Sequence, residues 1–159
     1  MVSSTEFKRP ESVLVVVYTR IGKVLLLHRV DRPDFWQSVT GSLKWHEQPM
    51  RAAVRELKEE TGLDGRGRLR DWDLSCRFEI LPGWSRRFPP GTTHNLEHVF
   101  SLTLENEQTI ILNPREHDKY CWLGVLEAAR KVWSWTNRAA IERLIVGDDR
   151  LIQHVDRNR

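Results

Sequence analysis

The sequence predicts an α/β chain, a mixed sheet with helices on both sides. Three observations carry this. Residues 12–18 (SVLVVVY) are apolar and β-branched almost throughout; residues 49–60 carry one strong helical signal; residues 125–132 and 136–146 form two further helical stretches near the end.

The first run suits a strand buried on both faces, which needs no polar phase. Arg20-Ile21-Gly22 reads as a turn and residues 23–28 (KVLLLH) as a second strand, so the two form a hairpin. Residues 31–34 read as a loop, and 35–40 (FWQSVT) as a short strand ending at Gly41. In the helix 49–60, Pro49 fits the first turn, where its missing N–H costs nothing. Ala52, Ala53, Val54 and Leu57 pack against a sheet, and Gly62 serves as C-cap. Residues 72–81 and 95–104 read as strands. The Pro/Gly/Arg-rich segment 82–93 between them is long for a hairpin and is a candidate substrate loop. Residues 120–123 make a short strand, and Ser134 or Thr136 can cap the last helix.

Bulk composition narrows the class. A chain of 159 residues with 40% apolar content supports a single domain over 1–159, with a polar tail after about 147. The 25 basic and 22 acidic residues are interspersed. A nucleic-acid binder would more often show a concentrated basic stripe, whereas an anionic small molecule needs only a few placed cations. No nucleic-acid partner is therefore expected, although the balance alone does not decide. Cys76 and Cys121 form no CxxC pair, which argues for two buried free thiols in a reducing compartment. Residues 1–10 lack an apolar signal core, and the longest apolar run, 13–18, is too short to cross a bilayer. The expectation is a cytoplasmic monomer or small homo-oligomer without a membrane partner. Of the seven Trp, Trp36, Trp122 and Trp135 are expected in the core; Trp45 is expected to be exposed near a ligand, and Trp84 to be a mobile lid residue.

The chemistry lies in residues 41–63, GSLKWHEQPMRAAVRELKEETGL. Glu56 and Glu60 are four apart, hence on one helix face about 6 Å apart along the axis. Glu59 adds a third carboxylate to the same turn. Their mutual repulsion disfavours a bare helix, and a hard divalent cation with oxygen preference, such as Mg²⁺, relieves it. Arg55 precedes Glu59 by four residues and can hold it in place. Glu47, just ahead of the helix, can accept backbone N–H bonds at the positive end of the dipole. Gly41 and Gly62 allow conformations or close approaches that a Cβ would block. The bland alternative is a solvated acidic face, which KEE alone would favour.

The whole spacing, G-x5-E-x7-R-E-U-x-E-E-x-G-U with U bulky and aliphatic, is matched without exception. At residue frequencies of about 5–7%, chance agreement at the seven fixed positions is on the order of one in 10⁸. The chain thus resembles the Nudix hydrolase superfamily. That resemblance implies an α/β/α sandwich, Mg²⁺ (with Mn²⁺ as a substitute), and attack of a metal-activated water on a phosphoanhydride. It makes Glu56 and Glu60 the main metal ligands and Glu59 an auxiliary ligand or base. Gly41, Glu47, Arg55 and Gly62 become structural.

Beyond this Nudix box (residues 41–63), Phe7-Lys8-Arg9-Pro10, residues 34–42 (DFWQSVTGS), which run into its start, and residues 134–141 (SWTNRAAI) look like the bacterial dihydroneopterin triphosphate diphosphatase group. Thr40-Gly41-Ser42 stands where many Nudix chains have Pro-Gly-Gly, which supports that narrower resemblance. It implies a pterin triphosphate as substrate. Lys8 and Arg29 become candidates for its phosphates, Thr40 for a phosphate oxygen or the pterin chain, Phe78, Glu79, Ile80 and Leu81 for the ring pocket, and Ser134 for a further polar contact. Glu116 would complete the metal site or act as base, with His117 and Asp118 as rivals. Each has a bland alternative: Arg29 paired with Asp31 or Asp34, Phe78 and Ile80 in the core, Ser134 a mere cap, Glu116 a solvated loop acid. Two rival functions stand beside this one: a Nudix hydrolase of nucleoside triphosphates, dinucleoside polyphosphates or RNA caps, and a Nudix-fold binding module without catalysis.

Overall fold

The computed structural model describes residues 7–147. The expected polar tail after 147 lies outside them. Seven strands form one mixed sheet: β1 (Glu11–Thr19), β2 (Lys23–Arg29), β3 (Trp36–Gln37), β4 (Val39–Ser42), β5 (Arg70–Glu79), β6 (His94–Leu104) and β7 (His117–Gly124). Three helices cover it, α1 (Pro49–Thr61), α2 (Val125–Lys131) and α3 (Trp135–Gly147).

β1 is the spine, and its sequence explains why. Successive side chains of a strand point to opposite faces. Val13, Val15 and Val17 pack with Ala52, Ala53 and Leu57 of α1 on one face. Leu14, Val16 and Tyr18 pack with Ala128 and Ala129 of α2 and Ala140, Ile141 and Leu144 of α3 on the other. An uninterrupted apolar run is what a strand covered on both sides requires. The result is the α/β/α sandwich.

β1 runs parallel to β6 along its whole length, while the other pairings are antiparallel. Its other edge is shared: Tyr18 pairs with Val24 of β2, and residues 12–15 pair with β4. The expected single strand over 35–40 is in fact two, broken at Ser38. Ser38 donates its N–H to Asn137 Oδ1 (2.8 Å), and Asn137 Nδ2 donates to Ser38 Oγ (2.9 Å). That anchor lets the chain leave β2 as β3 and join β1 as β4, which delivers Thr40 and Gly41 to the end of α1.

Helix boundaries follow local chemistry. Pro49 opens α1, and Gly62 closes it at φ 78°, its N–H bonding the Lys58 carbonyl at 3.0 Å. Ser134 accepts the Asn137 N–H at 3.4 Å and so caps α3. The segment 82–93 contains a 3₁₀ turn, Pro82–Arg87. β7 starts three residues before the expected 120, which brings His117 into the sheet. Expectations of burial fail in part: Trp36 and Trp122 are only half-buried against the core. Trp135 is 64% exposed, not core, because the buried face of α3 is set by Thr136, Asn137, Ala140, Ile141 and Leu144. The cysteines are free as expected but only half-buried. Among the described residues, no helix is long and apolar enough to cross a membrane.

Candidate active site

The helical period puts Glu56 and Glu60 on the face of α1 that meets β4, beside the core residues Ala53 and Leu57. Both acids are buried, Glu60 to 2% exposure. Arg55 organises the turn. It donates from Nε and Nη2 to the two carboxylate oxygens of Glu47 (2.9 and 2.8 Å), from Nη1 to Glu56 Oε1 (2.7 Å), and from Nη2 to the Ser42 carbonyl (3.2 Å). Glu47 in turn accepts the Lys44 N–H at 3.0 Å. A planar guanidinium can serve so many acceptors at once where an ammonium cannot. Glu59 is half-exposed and reaches Arg55 only at 3.4 Å. Gly41 makes this approach possible: a Cβ there would lie 2.2 Å from Glu56 Cδ.

The third acid comes from the turn before β7. Oxygen atoms of Glu60 and Glu116 and a ring nitrogen of His117 lie within 4.8 Å of one another. His117 is buried, its Nε2 lies 3.0 Å from Gln37 Nε2, and its Nδ1 has no partner among the described residues. Burial, then the Arg29 charge, lowers the His117 pKa to about 4, so the ring is neutral at pH 7. Asp118 turns away and bonds His28 Nδ1 at 2.6 Å.

Electrostatics give the cluster its meaning. Burial raises the Glu56 pKa to about 7, with Glu59 and Glu116 adding to the rise and Arg55 opposing it. Burial, then the charges of Glu56 and Glu116, hold Glu60 well above the usual carboxylate range. Among the described residues, the only polar partner for the Glu60 carboxylate is the Thr40 N–H, at 3.3 Å. Converging carboxylates short of positive charge, beside a neutral imidazole with an unpaired nitrogen, are a donor set for a divalent cation. The residues present therefore fit a metal.

These groups open into a cavity of about 310 Å³. Lys8, Arg29 and Arg87 line its mouth. Loss of hydration, then the like charges of Arg87 and Arg29, lowers the Lys8 pKa, although the residue as a whole is exposed. Lys8 is fixed by its backbone N–H, which donates to the Arg87 carbonyl at 2.7 Å, and by Arg9, which binds Glu11 and the Glu47 carbonyl. Arg29 is clamped by Asp31 at 2.8 and 2.7 Å and lies over Phe35 and Trp84. Phe78, Ile80, Trp84 and Phe88 form an apolar wall, and Ser12, Asn95 and Glu97 a polar one.

Two buried acids on α1 with the exposed Glu116 beside them, sharing a cavity with Lys8, Arg29 and Arg87, fit the sequence pattern, and the NUDIX domain family model matches residues 8–144. The chain belongs to the Nudix family. It is a pyrophosphohydrolase of that family, whose members use a divalent metal. It is similar to the dihydroneopterin triphosphate diphosphatase of Escherichia coli (strain K12), 44% identical over 144 residues, covering 88% of this chain and 95% of the relative. The Haemophilus influenzae enzyme of the same name is 40% identical over 144 residues, with 88% and 90% covered. A solved structure of the E. coli dihydroneopterin triphosphate pyrophosphohydrolase superposes with a TM-score of 0.81 at 42% identity, covering 89% of this chain and 99% of that one.

Against this Nudix frame, the structure gathers Lys8, Arg29, Thr40, Gly41, Glu56, Glu60, Phe78, Ile80 and Glu116 on one cavity. Others named from the sequence do not line it. Glu79 and Leu81 fall on the opposite phase of β5 and its continuation from Phe78 and Ile80. Thr40 does line it, but its hydroxyl proton goes to the Val13 carbonyl (2.9 Å), which leaves it only acceptor capacity and none to donate to a phosphate oxygen. Ser134 bonds Thr136 Oγ1 at 2.8 Å. Trp45 is exposed as expected, but it donates to the Phe7 carbonyl (2.8 Å) and stands outside the cavity. Trp84 does line it. Sequence reasoning missed Ser12, Gln37, Arg87, Phe88, Asn95 and Glu97. The detectable signal was polar Asn95 and Glu97 on the same strand phase as buried Val99.

Proposed function

We propose that this chain hydrolyses 7,8-dihydroneopterin 3′-triphosphate to the monophosphate and pyrophosphate, with Mg²⁺ held by Glu56, Glu60 and Glu116, as a step of folate biosynthesis in the cytoplasm. One observation carries the reading: a single cleft combines a charge-deficient acidic cluster, a set of cations, and a flat apolar wall. The 40–44% identity to relatives of that name over most of both chains supports the choice of head group.

A bound divalent ion supplies an acidified water and neutralises charge on the bridging and leaving oxygens. The residues do the rest. Lys8, Arg29 and Arg87 draw in and align the triphosphate. Glu116, which lines the cavity beside Glu60, completes the ligand set for that ion. Glu59, outside the wall, takes an outer role in steadying Arg55. Arg55 and Glu47 hold Glu56, and Phe78 and Ile80 face the ring. The working unit is one catalytic domain, as a monomer or small homo-oligomer, with Mn²⁺ as a competent substitute.

The test is a substrate panel with purified protein and Mg²⁺, following pyrophosphate release. Dihydroneopterin triphosphate should be turned over faster than deoxynucleoside triphosphates or dinucleoside polyphosphates. Equal or slower turnover would sink the substrate assignment and leave the family intact.

A further inference from the structure

Two buried side-chain polar atoms lack any partner among the described residues, His117 Nδ1 and Glu97 Oε1. Both belong to residues lining the same cavity. The first is accounted for by the acidic cluster beside it. The second is not, and nothing in the hydrolytic machinery uses it.

Glu97 is 5% exposed, on β6. Its surroundings differ from those of the box acids. Burial raises its pKa to about 7, the Thr136 hydroxyl favours its charged form, and neither Glu56 nor Glu60 perturbs it. The register shows why it stands apart. Ser12 of β1 lies between Ser42 of β4 and Glu97 of β6. Two strand spacings, roughly 10 Å, thus separate the box edge from this carboxylate. Its neighbours suit a flat ring. Phe78 pairs with Asn95, and Cys76 with Glu97, so Phe78 sits diagonally from Glu97 on one sheet face. Asn95 is locked by its bond to Ser12 Oγ at 2.8 Å.

We infer that Glu97 reads the heterocycle of the substrate, accepting hydrogen bonds from a ring N–H and the amino group next to it, the edge of a 2-amino-4-oxopyrimidine, while Phe78 and Ile80 cover the ring face. This rests on the cleft being the substrate site. A carboxylate with an unpaired oxygen satisfies two adjacent donors and repels an acceptor edge, so it selects pterin and guanine heads over adenine, uracil or hypoxanthine. The strand spacing puts the reader one side chain's length from the phosphate end, as a ring carried on a three-carbon tail requires. Ser134, which does not line the cavity, gains a role through Thr136 as support for this carboxylate.

GTP and ITP differ only in the 2-amino group and make the probe. Their Kd values are measured by calorimetry with Ca²⁺ to suppress turnover. Wild type should bind GTP roughly 10- to 100-fold more tightly than ITP, and Glu97→Gln should bring the ratio to within about twofold. Equal affinities in wild type, a ratio unchanged by Glu97→Gln, or no GTP binding at millimolar concentration would each overturn the inference. The wild-type comparison needs no variant, so it decides even if Glu97→Gln fails to fold. A Glu97-dependent GTP preference without preferred turnover of dihydroneopterin triphosphate would sink the substrate proposal alone.

Discussion

Replacing Gly41 by Ala adds one methyl group at the point where β4 touches the catalytic helix. The new Cβ would stand 2.2 Å from Glu56 Cδ and 2.3 and 2.6 Å from its oxygens. Carbon atoms rest at about 3.5–4.0 Å, so the carboxyl must retreat by more than about 1 Å. The strand cannot give instead, because Gly41 is paired with Val13 in the sheet core. The retreat drags Glu56 off its 2.7 Å bond to Arg55. A displacement of about 1 Å in a positioned group costs on the order of 100-fold in rate, and overpacking costs about 1–3 kcal/mol of stability. Gly41→Ala should therefore lower kcat about 100-fold and raise the Mg²⁺ concentration needed for half-maximal rate, while the protein stays folded. Steady-state kinetics across a Mg²⁺ titration, with a thermal melt of the same sample, measures both. Wild-type kcat at wild-type Mg²⁺ dependence would refute the view that Glu56 must sit against a bare backbone.

Arg55→Lys keeps the charge but leaves Glu47 or the Ser42 carbonyl without its donor. It should cost about 2–3 kcal/mol in urea unfolding, and an unchanged midpoint would contradict the network. Trp84 lines the cavity between Phe35 and Trp133, with Arg29 and Arg32 against it. Trp84→Ala should raise KM roughly 3- to 10-fold with kcat nearly constant; a fall in kcat alone would count against a binding role. Metal-free stability should fall between about pH 6.5 and 8. Glu56 and Glu97 have folded pKa values of about 7 against unfolded values of 4.5, and burial raises Glu60 well above 4.5 too. In this window the native state holds more protons than the unfolded chain, so raising the pH favours unfolding, by about 1 kcal/mol each for Glu56 and Glu97. His117 acts in the opposite sense, but its window, from about 4 to 6.5, closes first. Melts at successive pH values test the sign, and Mg²⁺ should remove the part due to Glu56 and Glu60. A metal-free Tm that rises from pH 6.5 to 8 would exclude the uncompensated cluster.

The fold was legible where one residue pattern admits one environment. The run from Ser12 to Tyr18 has no polar phase, so it had to be covered on both faces, and that alone placed helices on both sides of the sheet. Pro49 and Gly62 mark the ends of α1 by backbone chemistry that needs no tertiary context. The break at Ser38 was not legible. It depends on Asn137, ninety-nine residues away, whose amide fits between two strands only after α3 has docked. Trp135 failed for a related reason: bulk predicts burial, but a position at the start of a helix is placed by the face its later residues bury.

At the site, the legible part is the part that is local. Gly41, Glu47, Arg55, Glu56 and Glu60 lie within twenty residues, and their spacing encodes their contacts. The cations of the cavity were half legible, since Lys8 and Arg29 were named but Arg87, which reaches them through the backbone bond to Lys8, was not. The far wall was hidden because β6 was judged as a strand and not as one face of a strand. Asn95, Glu97 and Val99 share a phase, and it turns from polar to apolar at Val99, which packs in the same cluster as α3. Burying Asn95 and Glu97 at the polar end costs free energy unless something supplies their partners. Ser12 does so for Asn95, and Thr136 for part of Glu97, which leaves one carboxylate oxygen to be satisfied from the cavity. That Glu97 faces inward is visible in the sequence once strand phase is read residue by residue; that it stays half-paired is visible only in the fold, because its one partner, Thr136, comes from α3.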